Sequence, residues 1–239
     1  MANELGDGPS GPFLRPVALI VAAGLLAGLT AFGLGELVYG RFKAELVGQS
    51  LGGNQVMRPT LETKAVSDAR NSAIAFGLLG CALGLFLGVA GGLECRSIGS
   101  ATKAGCVGLV LGAVAGAVLS LFLIVPFERM VAQRTADDLF LSLGLHATLW
   151  GPLGALGGLA FGIGRGRWGQ IPSLMVGGLV GAIVGTIVYD AIGGTVTPLA
   201  GTGDAISMTW LTRLLARLLV AIGAAAGIAL TSRATEGPR

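Results

Sequence analysis

GLLGCALGLFLGVAGG, residues 77–92, places glycine at Gly77, Gly80, Gly84, Gly88 and Gly92 within one apolar run. Glycine is among the poorest helix formers in water. In lipid the argument changes. The helical backbone stays internally bonded, and glycines four apart share one face, so the missing side chains leave a groove that admits a neighbouring helix. The stretch therefore reads as a membrane helix built for close packing.

The rest of the chain agrees. Of its 239 residues, 53% are hydrophobic and only 12% charged, with a mean hydropathy of +0.78, where a soluble domain carries roughly 25% charged residues. A helix needs about 20 mainly apolar residues to cross the hydrocarbon, and six stretches meet this requirement, at about 17–39, 72–93, 104–127, 141–164, 171–192 and 208–231. The expected fold is all-α, a polytopic bundle in a single six-helix membrane domain over 17–231. Tails of 1–16 and 232–239 flank it, and almost no chain remains for a soluble domain. Glu4 and Asp7, with Arg15 the only cation, precede the first run, which is longer than the about 7–15 apolar residues of a signal h-region. It reads as a retained first helix.

Six crossings put both termini and the short links 94–103 and 165–170 on one side, and the longer loops 40–71, 128–140 and 193–207 on the other. Seven cations fall on each side, with Arg213 and Arg217 inside the last helix. The short-link cations lie close to helix ends, where the positive-inside rule is most reliable. That places both termini in the cytoplasm and makes 40–71 the large extracytoplasmic loop. Its segment LETKAVSDARNSAIAFG can extend the second helix outward as a polar stalk, and Gly52, Gly53 and Pro59 are turn signals. The basic pI near 9.0 suits cations meeting anionic lipid and does not imply nucleic acid.

The glycine ladder returns in GPLGALGGLAFGIGRG, with Gly151, Gly154, Gly158, Gly162 and Gly166 each 74 residues beyond its counterpart. A second GxxxG follows each ladder, Gly112 to Gly116 and Gly181 to Gly185. Gly24 to Gly28 and Gly223 to Gly227 extend the pattern to the first and last helices. The six helices thus read as three tandem pairs, a direct repeat rather than the inverted repeat of many transporters.

Charges inside the spans need partners or water, since even a lenient scale puts a central Arg at about 2.5–3.5 kcal/mol. Arg213 and Arg217 lie one turn apart on the last helix, while Glu36, Glu128 and Asp190 bring a carboxylate to the long-loop end of each odd helix. With His146, the only histidine, these six form the candidate intramembrane polar network, and Asp190 to Arg217 is the expected ion pair. Tyr39, Trp150, Tyr189, Trp210 and Trp168 read as an interfacial aromatic belt. Cys81, Cys95 and Cys106 have no metal-ligand spacing, so neither a metal nor a cofactor is expected.

VYD at 188–190 followed by GTGD at 201–204 resembles the YD and GxGD pair of intramembrane aspartyl proteases of the presenilin and prepilin-peptidase type. The resemblance, confined to about 16 residues, would imply a catalytic pair of Asp190 and Asp204. The chain departs from that family in having Asp204 in a loop, only six helices and no PAL motif. The simpler reading of the segment is a turn-rich loop in which Asp204 or Ser207 caps the last helix. No GxSxG, Walker loop or strand-linked dinucleotide fingerprint is present.

The chain is therefore expected to be a non-enzymatic membrane protein, a packing or accessory subunit of an assembly with other membrane subunits or with itself in the lipid bilayer. The alternative is a small transporter or channel with a charged site in the outer leaflet. Glycine faces left on the outer surface favour assembly. Glycine faces consumed inside one bundle, with arginines converging on a wet cavity, favour transport.

Overall fold

Thr60 begins a helix much earlier than hydropathy suggests. Its hydroxyl accepts the Thr63 N–H at 3.2 Å, and the Thr63 hydroxyl accepts the Thr60 N–H at 3.0 Å, so two otherwise orphaned donors are satisfied reciprocally. The structure, a computed structural model, describes residues 11–51, 54–133, 139–197 and 199–234. It contains α1 (Gly11–Leu37), β1 (Leu46–Leu51), β2 (Asn54–Pro59), α2 (Leu61–Glu94), α3 (Ile98–Ala132), α4 (Leu139–Arg165), a short 3-10 turn (Trp168–Gln170), α5 (Ile171–Val196) and α6 (Trp210–Ala234). All six α-helices are long and apolar enough to cross a membrane. The chain is an all-α, multi-pass membrane protein.

The helices that contain the expected spans 72–93 and 104–127 run beyond them at both ends, so less of the chain is left to the connecting segments. The polar stalk is helical from Leu61, and segment 41–45 runs beside it: the Asn71 side chain bonds both the N–H and the carbonyl of Phe42, and Arg70 lies over the Phe42 ring. The rest of the expected 40–71 loop is an antiparallel hairpin with register Leu46↔Pro59 through Leu51↔Asn54. Gly52 and Gly53, the turn signals, lie outside the described residues, as do 134–138 of the expected 128–140 loop. The link 94–103 shrinks to 95–97, because Ser97 caps α3 through the Ser100 N–H. In that link Arg96 has a φ of 55°, in the left-handed region that disfavours side chains. At the other end of the bundle, Thr209 caps α6 by accepting the Thr212 N–H. This displaces Asp204 and Ser207 from the expected capping role.

Each odd-numbered helix packs against two even-numbered ones: α1 against α6 and α2, α3 against α2 and α4, and α5 against α4 and α6. The even helices form the interior, and α3 is the least buried of the six. Small residues set these contacts. A Cβ built at Gly80, Gly84 or Gly88 would collide with the backbone of Gly112, Gly108 or Ala104 on α3, and one at Gly116 with Phe76. Gly154 and Gly158 meet Gly178 and Leu174 of α5, and Gly162 meets the Ile171 side chain. Gly24 packs on Ala221 and Ala225 of α6, and Gly28 on the Arg217 carbonyl.

The two ladders are not used identically. Gly112 and Gly116 face the preceding ladder on α2, whereas Gly181 and Gly185 turn to α6, meeting Gly223 and Leu219, while Gly227 meets Gly177. Gly166 is a turn residue with a φ of 68°, whereas its counterpart Gly92 packs on Ala101. Between α2 and α4 the short-link half is closed by backbone contact, with Gly91 on the Phe161 carbonyl and Gly164 on that of Gly88. Towards the long-loop side the same pair is held apart by rings, Phe76 tilted on Trp150 at 6.2 Å. That separation makes room for a site.

Candidate functional site

The long-loop half of the even-helix interior holds a cavity of about 20 Å³, room for about one water. Phe76 and Leu79 of α2, Trp150 of α4 and Tyr189 of α5 form its walls, with Arg213, Ala216 and Arg217 contributed by α6. Ala205 to Ser207, from the segment joining α5 to α6, close it from the long-loop side.

Arg217 decides the electrostatics. It is 7% exposed and stands roughly 10 Å along α6 from Trp210, at 1.5 Å per residue. Its Nη1 donates to the Ala75 carbonyl at 2.9 Å. Gly35 provides the berth for the guanidinium, since a Cβ there would lie 2.8 Å from Nη2. No carboxylate among the described residues lies within ion-pair distance of it. The expected Asp190 to Arg217 pair is therefore absent, because each group is engaged elsewhere.

Arg213, one turn earlier, is neutralised. Its Nε and Nη2 donate to the two carboxylate oxygens of Glu36 at 2.6 and 2.8 Å, the bidentate geometry that favours arginine over lysine. Nη1 donates to the Ser207 and Met208 carbonyls at 3.0 and 2.7 Å, and the Tyr39 ring lies 3.7 Å from the guanidinium carbon. One side chain thus ties α1, α6 and the closing segment together.

Asp190 is claimed by His146. The fully buried imidazole places Nδ1 2.8 Å from Asp190 Oδ1 and Nε2 3.1 Å from the main-chain carbonyl of Asp204. A carbonyl only accepts, so Nε2 carries hydrogen. The contact between Nδ1 and Oδ1 then shares a second proton, and whichever atom holds it, the pair has no net charge. Asp204 presents its main-chain carbonyl, not a carboxylate, to this ring, which is the arrangement found where the aspartyl-protease resemblance implies a catalytic dyad. His146 also stacks on Trp150 at 4.4 Å, and Tyr189 meets both rings edge-on.

The six polar candidates are consequently not one network. Glu36 with Arg213, and Asp190 with His146, form separate units beside the cavity, which Arg217 also lines, its guanidinium held by the Ala75 carbonyl and against Gly35. Glu128 sits apart on α3, 3.6 Å from Lys64 of the α2 extension. The aromatic belt also divides. Tyr39, Trp210 and Trp168 are exposed, whereas Trp150 and Tyr189 are buried at 2%. Sequence reasoning assigned Trp150 to the interface, although its i, i+4 spacing from His146 was a legible signal that both share one helix face. Ser207, Gly35 and the Ala75 carbonyl had no such signal. Trp150 Nε1 and Asp190 Oδ2 are both buried without a hydrogen-bond partner, an uncommon condition for interior polar atoms, whereas the Ser207 hydroxyl adjoins that of Tyr189.

Searches of protein-family models, curated proteins and solved structures find no match for the chain.

Proposed function

We propose that the protein is a small, non-enzymatic transporter or channel whose solute site is the cavity between α2, α4 and α6. The observation that carries this reading is Arg217, a buried cation on a cavity inside a membrane bundle with no carboxylate among the described residues within ion-pair distance. Keeping a charge there is costly, and structural pairing, the ordinary reason to keep one, is met at Arg213 but not at Arg217. The glycine faces support the same reading. Those on α2, α4, α5 and α6 are consumed between helices of one chain, which leaves the assembly-subunit reading without the exposed groove on which it rested.

The three-pair repeat belongs to this proposal. Odd helices that each bridge two even ones are what three tandem hairpins around a central site would produce, and helix pairs of that kind can rock about small-residue contacts. The orientation proposed is cytoplasmic termini, with the cavity nearer the extracytoplasmic face. The test is flux in proteoliposomes: the wild-type chain should raise permeability to a subset of small solutes above that of empty vesicles, and Arg217→Ala should abolish the increase while still folding. Wild-type vesicles no leakier than empty ones to any solute in a broad panel would overturn the reading.

A further inference from the structure

We infer that the cavity binds a single small monovalent anion of the halide class. The inference rests on the proposed solute site and names its ligand. Three independent observations converge. The first is charge. Of the charged residues that line the cavity, Arg213 is paired with Glu36 through a bidentate contact, whereas Arg217 has no carboxylate among the described residues within ion-pair distance, which leaves its positive charge to be balanced. A monoanion balances it, whereas a dianion would leave a buried charge uncompensated, at a cost of several kcal/mol.

The second observation is donor chemistry. Trp150 Nε1 can only donate, is buried and lacks a partner, and belongs to a residue lining the same cavity as Arg217. A water at this place could accept from the indole but would leave the guanidinium charge unbalanced. An anion answers both.

The third is size and surroundings. About 20 Å³ gives room for about one water-sized particle, which favours a single atomic ion over a larger oxyanion. The remaining walls, Phe76, Leu79, Ala205, Ile206 and Ala216, are apolar, which suits a weakly hydrated ion such as chloride or bromide better than fluoride.

The experiment is calorimetric titration of the full-length protein in detergent with sodium chloride, bromide, fluoride, acetate and sulfate against a gluconate background. Saturable one-site binding of chloride and bromide is expected, at least about tenfold tighter than acetate or sulfate. Arg217→Gln should weaken it by about tenfold or more, as expected for loss of a charge-assisted contact, and Arg217→Lys should recover part of the loss. If Arg217→Gln does not fold, Trp150→Phe provides the decision, since it removes the indole donor while keeping an aromatic ring, with a several-fold loss of chloride affinity expected. No saturable halide binding by the folded wild type, equal affinity in both variants, or tighter binding of sulfate would each overturn the inference. Halide binding without flux in proteoliposomes sinks the transport reading and leaves the site standing; flux of uncharged solutes without halide binding does the reverse.

Discussion

Arg213 and Arg217 are one turn apart and chemically opposite. Arg213 is a structural tie, holding the Glu36 carboxylate and two carbonyls of the closing segment. Arg213→Ala should therefore cost about 2–3 kcal/mol, since buried hydrogen bonds to charged groups are lost and acceptors are left unpaired. Glu36→Gln should cost less, because the carbonyl bonds of Arg213 survive it. Denaturant titration of the two variants in detergent checks the order, and a larger loss for Glu36→Gln would count against a tie through the Ser207 and Met208 carbonyls. At this scale the sequence revealed which groups matter but not how they pair. Charge and depth pick out Glu36, Asp190, His146 and both arginines. Partner choice depends on helix rotation and on where the loop carbonyls fall, neither of which residue type encodes; hence Asp190 found His146 and Arg217 found the Ala75 carbonyl.

Along the helices, glycine has opposite meanings at different positions. Gly84→Ala should destabilise the bundle by about 1–3 kcal/mol, the usual range for overpacking, because the new Cβ would collide with the Gly108 backbone on α3. Gly33→Ala on α1, where a Cβ meets nothing within 4 Å, should be neutral or stabilising by up to about 1 kcal/mol through helix propensity. The α2–α3 link offers a converse case: Arg96 sits at positive φ, so Arg96→Gly should gain about 1 kcal/mol by relieving the left-handed conformation. Thermal unfolding of the three single variants separates these outcomes. Spacing by four puts glycines on one helix face whatever the fold, and at Gly80, Gly84 and Gly88 that face meets α3 backbone. Helix ends were less readable, because hydropathy registers only the lipid-crossing part. The polar first turns of α2 depend on the capping box of Thr60 and Thr63, a local hydrogen-bond pattern that hydropathy does not register.

For the molecule as a whole, odd helices bridging even ones place the interior at the cavity, and the closely packed α2–α4 contact seals its short-link end. The proposed orientation puts the exposed Cys95 on the cytoplasmic side. A membrane-impermeant maleimide should label it only after intact cells are opened, and labelling from outside would reverse the topology. The multi-pass class was legible because apolar length alone indicates it, whereas the cavity arises only when four helices and one connecting segment meet. The proposed solute site stands or falls with the halide inferred at Arg217. Its most direct test is anomalous diffraction from crystals of the full-length protein grown in sodium bromide. The account predicts one anomalous peak between the Arg217 guanidinium and Trp150 Nε1; a cavity without a peak, with Arg217 paired instead to Asp190 or another carboxylate, would contradict it.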